Sequence, residues 1–260
     1  MTRFRPCIDL HAGSVKQIVG GTLSTDNTGL KTNFTSEHPA AYYADLYKKH
    51  DLRGGHVIML GPGNDEAAQE ALSSWPGGLQ VGGGIKNSNA KSWIDAGAEK
   101  VIITSYLFPS GYFSLACLQA VLKALGGDTS KLVIDLSCRR VGEGWRVAID
   151  RWQTITEFEI NQNNIRLLEP YCSEFLIHAA DAEGLQAGID EELVSFLSKI
   201  CSKPVTYAGG GQSIDDLELV ERLSGGKVDL TIGSALDIFG GKGVTFEACC
   251  QWNDARRTSV

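Results

Sequence analysis

The sequence predicts an α/β protein, a single (β/α)8 barrel made of two similar halves, and three observations predict it. Ile-Asp-Leu occurs at Ile8-Asp9-Leu10 and again at Ile134-Asp135-Leu136. A glycine triplet follows each, Gly82-Gly83-Gly84 and Gly209-Gly210-Gly211, starting 73 residues after Asp9 and 74 after Asp135. An apolar run then ends on Ser105 or Ser234, 23 and 25 residues beyond the first glycine of the triplet. Repetition at half length, with strand-like runs between helical patterns, is how a duplicated βα array reads. The half-barrels are expected at about 1–126 and 127–260 of one domain spanning 1–260, because no shift in composition marks a linker.

Eight short apolar runs are expected as strands: 5–10, 55–60, 79–81, 100–104, 132–136, 175–179, 205–208 and 229–233. Most are apolar throughout, as parallel strands covered on both faces are. Helical patterns separate them. Pro39 stands at a first-turn position before 40–49, the pattern at 88–96 stops at Gly97, and Ser213 with Asp216 has capping-box spacing before 217–223. Residues 116–125, 193–200 and 246–252 supply further apolar faces. One strand per about 32 residues is barrel spacing; an open doubly wound sheet is the rival. Two strand-to-helix connections are long, 11–35 after the first strand and 137–154 after the fifth, and on a barrel such loops lie at the face that carries active sites.

A net charge of −7 argues against nucleic acid or a membrane as partner, since both attract basic surfaces, so an anionic ligand has to be held by local groups. No apolar stretch approaches the roughly 20 residues of a membrane span. The opening residues are not expected to be a signal peptide, and a cytoplasmic monomer is expected. Seven cysteines without a CxxC pair read as reduced thiols. Walker, Gly-x-Ser-x-Gly and dinucleotide fingerprints are missing from the chain.

Asp9 and Asp135 end the first and fifth strands, which oppose each other across an eight-stranded barrel. Such a carboxylate serves as acid or base once burial and neighbours tune it. One alone could equally cap a loop or pair with Lys16 or Arg139; two at equivalent positions favour catalysis. In the triplets, Gly83, Gly84, Gly209 and Gly210 let backbone N–H groups approach a phosphate. Thr104 and Ser105 complete one cradle, Gly233 and Ser234 the other, and 235–239 reads as the short extra helix of a barrel phosphate site. Two cradles point to a small molecule phosphorylated at both ends. Trp152 could stack on a flat heterocycle or simply pack. Of His178, Asp181 and Glu183, one could supply a proton or hold a hydroxyl, although a structural, inward-facing His178 is equally compatible. His11, His38, His50 and His56 lack metal-ligand spacing, and no metal is expected.

Cys7-Ile8-Asp9-Leu10-His11-Ala12-Gly13 with Val15-Lys16-Gln17, then Val81-Gly82-Gly83-Gly84-Ile85, Asp135, Trp152, Ala208-Gly209-Gly210 and Ile232-Gly233-Ser234-Ala235-Leu236 together resemble the HisA family of histidine-biosynthesis barrel isomerases. The resemblance covers nearly the whole chain. The insertion at 23–33 and the segment from His178 to Leu185 resemble its fungal and plant branch. It implies an intramolecular aldose–ketose isomerase, carrying out the Amadori rearrangement of the bis-phosphorylated ProFAR aminoaldose to the PRFAR aminoketose without a cofactor. It further implies Asp9 as the base that takes the C2′ proton, Asp135 as the acid that protonates the furanose oxygen, and Trp152 stacked on the carboxamide imidazole. Glu183, at the family's acidic position after strand six, is the other candidate donor. Lys86 stands where the family often has arginine, and Met59-Leu60-Gly61-Pro62 lacks the second-strand acid of the bacterial branch. The rivals are the ammonia-using cyclase barrel HisF, a dual isomerase serving tryptophan synthesis, and a barrel that only binds phosphorylated metabolites. The Val15-Lys16-Gln17 stretch and Trp152 favour the isomerase over the cyclase, and the retention of both acids argues against a mere binder.

Overall fold

Pro6 splits the first expected strand into Phe4–Arg5 (β1) and Cys7–His11 (β2), because proline has no N–H to give to a neighbouring strand. The first half continues with Ser14–Ile18 (β3), Thr32–Thr35 (β4), Ala40–Lys49 (α1), Gly55–Met59 (β5), Asp65–Ser74 (α2), Leu79–Gly82 (β6), Ala90–Asp95 (α3), Lys100–Ile103 (β7) and Leu115–Ala124 (α4). The second half opens with Leu132–Asp135 (β8), Cys138–Val141 (β9), Gly144–Ile149 (β10), Thr154–Glu159 (β11) and Gln162–Leu168 (α5). Glu174–His178 (β12), Glu191–Ile200 (α6), Val205–Ala208 (β13), Ile214–Ser224 (α7), Val228–Thr231 (β14) and Phe246–Arg257 (α8) complete it. The computed structural model describes residues 1–19, 22 and 31–257; of the insertion at 23–33 only 31–33 lie among them, so the reading of the remainder falls outside the described residues.

β2 pairs in parallel with β5, and the parallel order runs on through β6, β7, β8, β12 and β13 to β14, which pairs with β1. Because β1 and β2 are joined through Pro6, the sheet curls back on itself into a (β/α)8 barrel. All eight expected strands form, their ends within two residues of expectation. The continuous apolar runs follow from the two faces. Ile8, Val57, Val81, Ile134, Ile177 and Leu230 pack towards the helices, while Ile102, Val133, Leu176 and Ala208 meet on the other side of the strands with Ile58 against them.

At the N-terminal ends of the strands the interior is charged but paired. Lys100 Nζ and Gln80 Nε2 each lie 2.6 Å from a Glu174 carboxylate oxygen, and Arg5 Nε lies 2.8 Å from Asp229 Oδ2. Removing one member of such a pair would strand its partner in a low dielectric. This floor leaves the opposite end of the barrel for function.

The helices at 40–49 and 214–224 begin as their caps predict, the second with a full capping box between Ser213 and Asp216. The helix expected from 88 begins at Ala90, because the Asn89 side chain accepts from the Lys86 N–H and donates to the Gly84 carbonyl, folding 86–89 into a turn. α2 and α5 were not anticipated. The buried face of α2 is Ala68, Ala71 and Leu72, a weak apolar signal. Both long connections carry strands: β3 and β4 extend the sheet beyond β2, and β9, β10 and β11 form a separate antiparallel sheet. Among the described residues no helix is long and apolar enough to cross a membrane.

Candidate active site

Asp9, Asp135 and His178 project from the C-terminal ends of β2, β8 and β12, and Glu183 follows in the loop after β12. Asp135 is 6% exposed and densely bonded. Its Oδ2 accepts from Thr104 Oγ1 at 3.0 Å, and Ser137 Oγ lies 3.0 Å and 3.1 Å from its two oxygens. His178 Nδ1 stands 3.6 Å from Asp135 Oδ2, an ion-pair distance rather than a hydrogen bond. Burial alone would lower the His178 pKa, but the charge of Asp135, with Glu183 and Asp9 adding, pushes it up to about 9. Its ring meets that of His56 edge to face at 5.9 Å. Burial first, then the His178 charge, brings His56 down to about 3. Of two touching imidazoles, one is therefore cationic at neutral pH and the other neutral.

Asp9 has a different environment. Its Oδ2 accepts one hydrogen bond from Gln17 Nε2, at 3.1 Å. Burial raises its carboxyl above the ordinary value, against the opposing pull of His178, Cys7 and Gln17. Glu183, half-buried, is pushed up to about 7, chiefly by desolvation; His178 opposes the rise and Asp9 adds to it.

Two cavities open at this end of the barrel. The larger, of 410 Å³, has Gly83, Gly84, Thr104, Ser105, Asp135 and Trp152 in its wall. The smaller, of 20 Å³, is bounded by Asp9, Glu183, Gly209, Gly210, Gly233 and Ser234. His178 lines both. Each sequence-predicted glycine cradle thus borders a cavity that holds one of the two opposed aspartates. Close packing requires glycine at two of these positions: a Cβ on Gly83 would lie 2.2 Å from the Met59 carbonyl, and one on Gly210 would lie 2.0 Å from the Gly188 carbonyl, both at positive φ.

The structure differs from expectation in two places. Thr104 gives its hydroxyl to Asp135, so it acts on that carboxylate as well as lining the cavity. The helix expected at 235–239 is a single 3-10 turn at Asp237–Phe239, stopped by the left-handed Gly240. The second cradle is accordingly built from loop backbone rather than a helix end.

Trp152 stands at the tip of the β10–β11 hairpin, its ring 6.0 Å from that of His178. Asp150, Arg151 and Trp152 have φ of 52°, 58° and 64°, a left-handed run that non-glycine residues adopt only where surroundings enforce it. Asp181 faces away from the acids, towards the Arg139 guanidinium at 3.6 Å and the Arg140 N–H at 3.0 Å.

Sequence reasoning missed the local roles of Ser137 and Gln17. A polar residue between the apolar Val15 and Ile18 was the available signal for Gln17, which is 2% exposed. It also passed over His56. Cys7, Asp9 and His56 bring one ligand atom each within 4.8 Å of one another, but the Gln17 amide already engages Asp9 and approaches the Cys7 sulfur at 3.8 Å, and we assign no metal there.

Comparison with known proteins adds an independent line. Residues 3–242 match the family model described as histidine biosynthesis protein. A Neurospora crassa protein named 1-(5-phosphoribosyl)-5-((5-phosphoribosylamino)methylideneamino) imidazole-4-carboxamide isomerase is 70% identical over 254 residues, 97% of this chain and 99% of the relative. The Saccharomyces cerevisiae protein of the same name is 54% identical, over 98% of this chain and 99% of its own length. A Medicago truncatula relative, named as the chloroplastic form of that isomerase, is 46% identical over 99% of this chain and 84% of its own length.

Proposed function

This chain belongs to the histidine biosynthesis protein family, and on that premise we propose how its paired cavities perform the isomerisation for which its relatives are named. The chain is the pathway's ProFAR isomerase, converting an aminoaldose into an aminoketose. The phosphate nearest the reacting sugar sits at Gly209, Gly210, Gly233 and Ser234. The far phosphate sits at Gly83, Gly84 and Ser105, and Trp152 stacks on the imidazole between. A proton reaches the furanose oxygen, the C1′–O4′ bond breaks with its electron pair on that oxygen, and C1′ is left as an iminium. Asp9 takes the C2′ proton, and the C–H pair becomes the C1′–C2′ double bond of an enaminol. Protonation at C1′ and loss of the C2′ hydroxyl proton give the aminoketose.

The geometry favours Glu183 over Asp135 as the donor to the ring oxygen. The oxygens of Asp135 are already engaged, accepting hydrogen bonds from Thr104 and Ser137 and facing His178. Glu183, pushed to about 7, carries a proton in a large fraction of molecules at neutral pH and bounds the same cavity as Asp9. Asp135 then keeps His178 cationic beside the oxygens on which charge develops. The single observation that carries this reading is that the three carboxyl groups of one site stand in three different environments.

A monomer organised as one domain of two half-barrels is part of the reading, and the mass of the protein in solution tests it. A cytoplasmic location remains part of the reading, and cell fractionation tests it. The function is tested by following conversion of ProFAR by wild type, Asp9→Asn, Asp135→Asn and Glu183→Gln with no ammonia or cofactor added. Turnover lost in Asp9→Asn, with inorganic phosphate still bound, supports the base; a folded wild type that does not turn over overturns the reading.

A further inference from the structure

We propose that Gln17 is the positioning residue of the base, a neutral amide that ties the Asp9 carboxylate to the Gly233 cradle so that base and bound phosphate share one geometry. The proposal rests on Asp9 being the base. Gln17 is buried on β3, which pairs antiparallel with β2, the strand that carries Asp9. Its Nε2 lies 3.1 Å from Asp9 Oδ2 and 3.8 Å from Cys7 Sγ. Its Oε1 lies 2.7 Å from the point where a Cβ on Gly233 would stand, so the amide rests against the glycine of the cradle and any larger residue there would displace it. On the far side of β3, β4 pairs Phe34 with Gln17 and fixes its backbone.

A carboxylate free to rotate presents either oxygen to the substrate. One tied through Oδ2 presents Oδ1, which removes a rotational search from the proton-transfer step. The amide donates without adding charge, whereas a glutamate at 17 would only accept and would repel Asp9. The titratable groups facing Asp9 are Cys7 on its own strand, Tyr47 of α1, His56 of β5, His178 of β12 and Glu183 after β12. Of these His178 is the cation at neutral pH, and the Gln17 amide stands beside the carboxylate as an uncharged donor.

The test is steady-state kinetics against pH for Gln17→Met, which keeps length and removes the donor, with Gln17→Glu and Gly233→Ala alongside. Gln17→Met is expected to lower kcat roughly tenfold or more with KM changed less than about threefold, and to move the acid limb of kcat/KM up by about one pH unit, because the bond that favours the ionised carboxylate is gone. Gln17→Glu is expected to move the limb further in the same direction. Gly233→Ala pushes on the amide from the other side, moving the limb upward and raising KM as well. A folded Gln17→Met with the wild-type acid limb overturns the proposal; should that variant not fold, an unmoved limb in Gly233→Ala does so. Asp9→Asn in parallel separates the two claims: turnover retained there overturns the base assignment, whereas turnover lost there with unmoved limbs in the other variants overturns the tie alone.

Discussion

His178 Nδ1 lies 3.6 Å from Asp135 Oδ2, and this pair sets the charge at the centre of the barrel mouth. Without Asp135, burial would leave His178 neutral; with it, the imidazole holds its proton up to about 9. Asp135→Asn is expected to lower the His178 pKa by more than a unit, read by NMR titration of the ring, and to reduce kcat more than it changes KM. The associated stability is fully present below the ordinary value of 6.5 and is lost as pH rises through about 9. The variant should therefore be most destabilised relative to wild type at or below about pH 6.5, with the gap narrowing as pH rises towards 9. An unchanged His178 titration would detach the pair from the site.

Glu183 carries a linkage of the same sign at lower pH. Its carboxyl is raised from 4.5 to about 7, so the folded state binds the proton more tightly than the unfolded chain, and stability erodes as pH rises through that window. Glu183→Gln removes the cost and is expected to stabilise the fold at or above neutral pH by on the order of 2 kcal/mol, while destroying activity. Urea unfolding at acid and neutral pH checks this, and the gain should vanish in acid.

The eight strands and the closure of the barrel were legible because strands covered on both faces read as unbroken apolar runs, and the two aspartates because each ends such a run. Less of the periphery was legible. The β9–β11 sheet lies in a connection whose polar alternation resembles an ordinary loop, and the short α5 offers under two turns of pattern. The division of labour among Asp9, Asp135 and Glu183 depends on which donors reach each carboxyl across the barrel. Thr104 lies 31 residues from Asp135, and Gln17 reaches Asp9 through a strand register rather than a motif.

Gly210→Ala would set a Cβ 2.0 Å from the Gly188 carbonyl at a φ of 76°. Both the clash and the left-handed backbone oppose it, and a loss of about 1–3 kcal/mol is expected in denaturant unfolding. In whatever fraction folds, KM should rise because the cradle is displaced. Gly84→Ala meets no atom within 4 Å and should cost less stability, with the backbone strain at φ 70° as its main penalty.

Trp152→Ala tests the stacking surface beside His178. The loss should fall mainly on KM, by roughly tenfold, as expected for one aromatic platform of about 1–1.5 kcal/mol. Trp152→Phe should recover part of it. A variant with unchanged KM would show that the ring only packs.

The pH dependence of kcat/KM for wild type and Glu183→Gln tests the acid–base assignment most directly. The prediction is a bell for wild type, its falling limb near 7 from loss of the Glu183 proton, and in Glu183→Gln a rate lower by roughly 10²–10⁴-fold with that limb gone. A falling limb that persists unchanged in Glu183→Gln, at near wild-type rate, would contradict the assignment and return the donor role to Asp135.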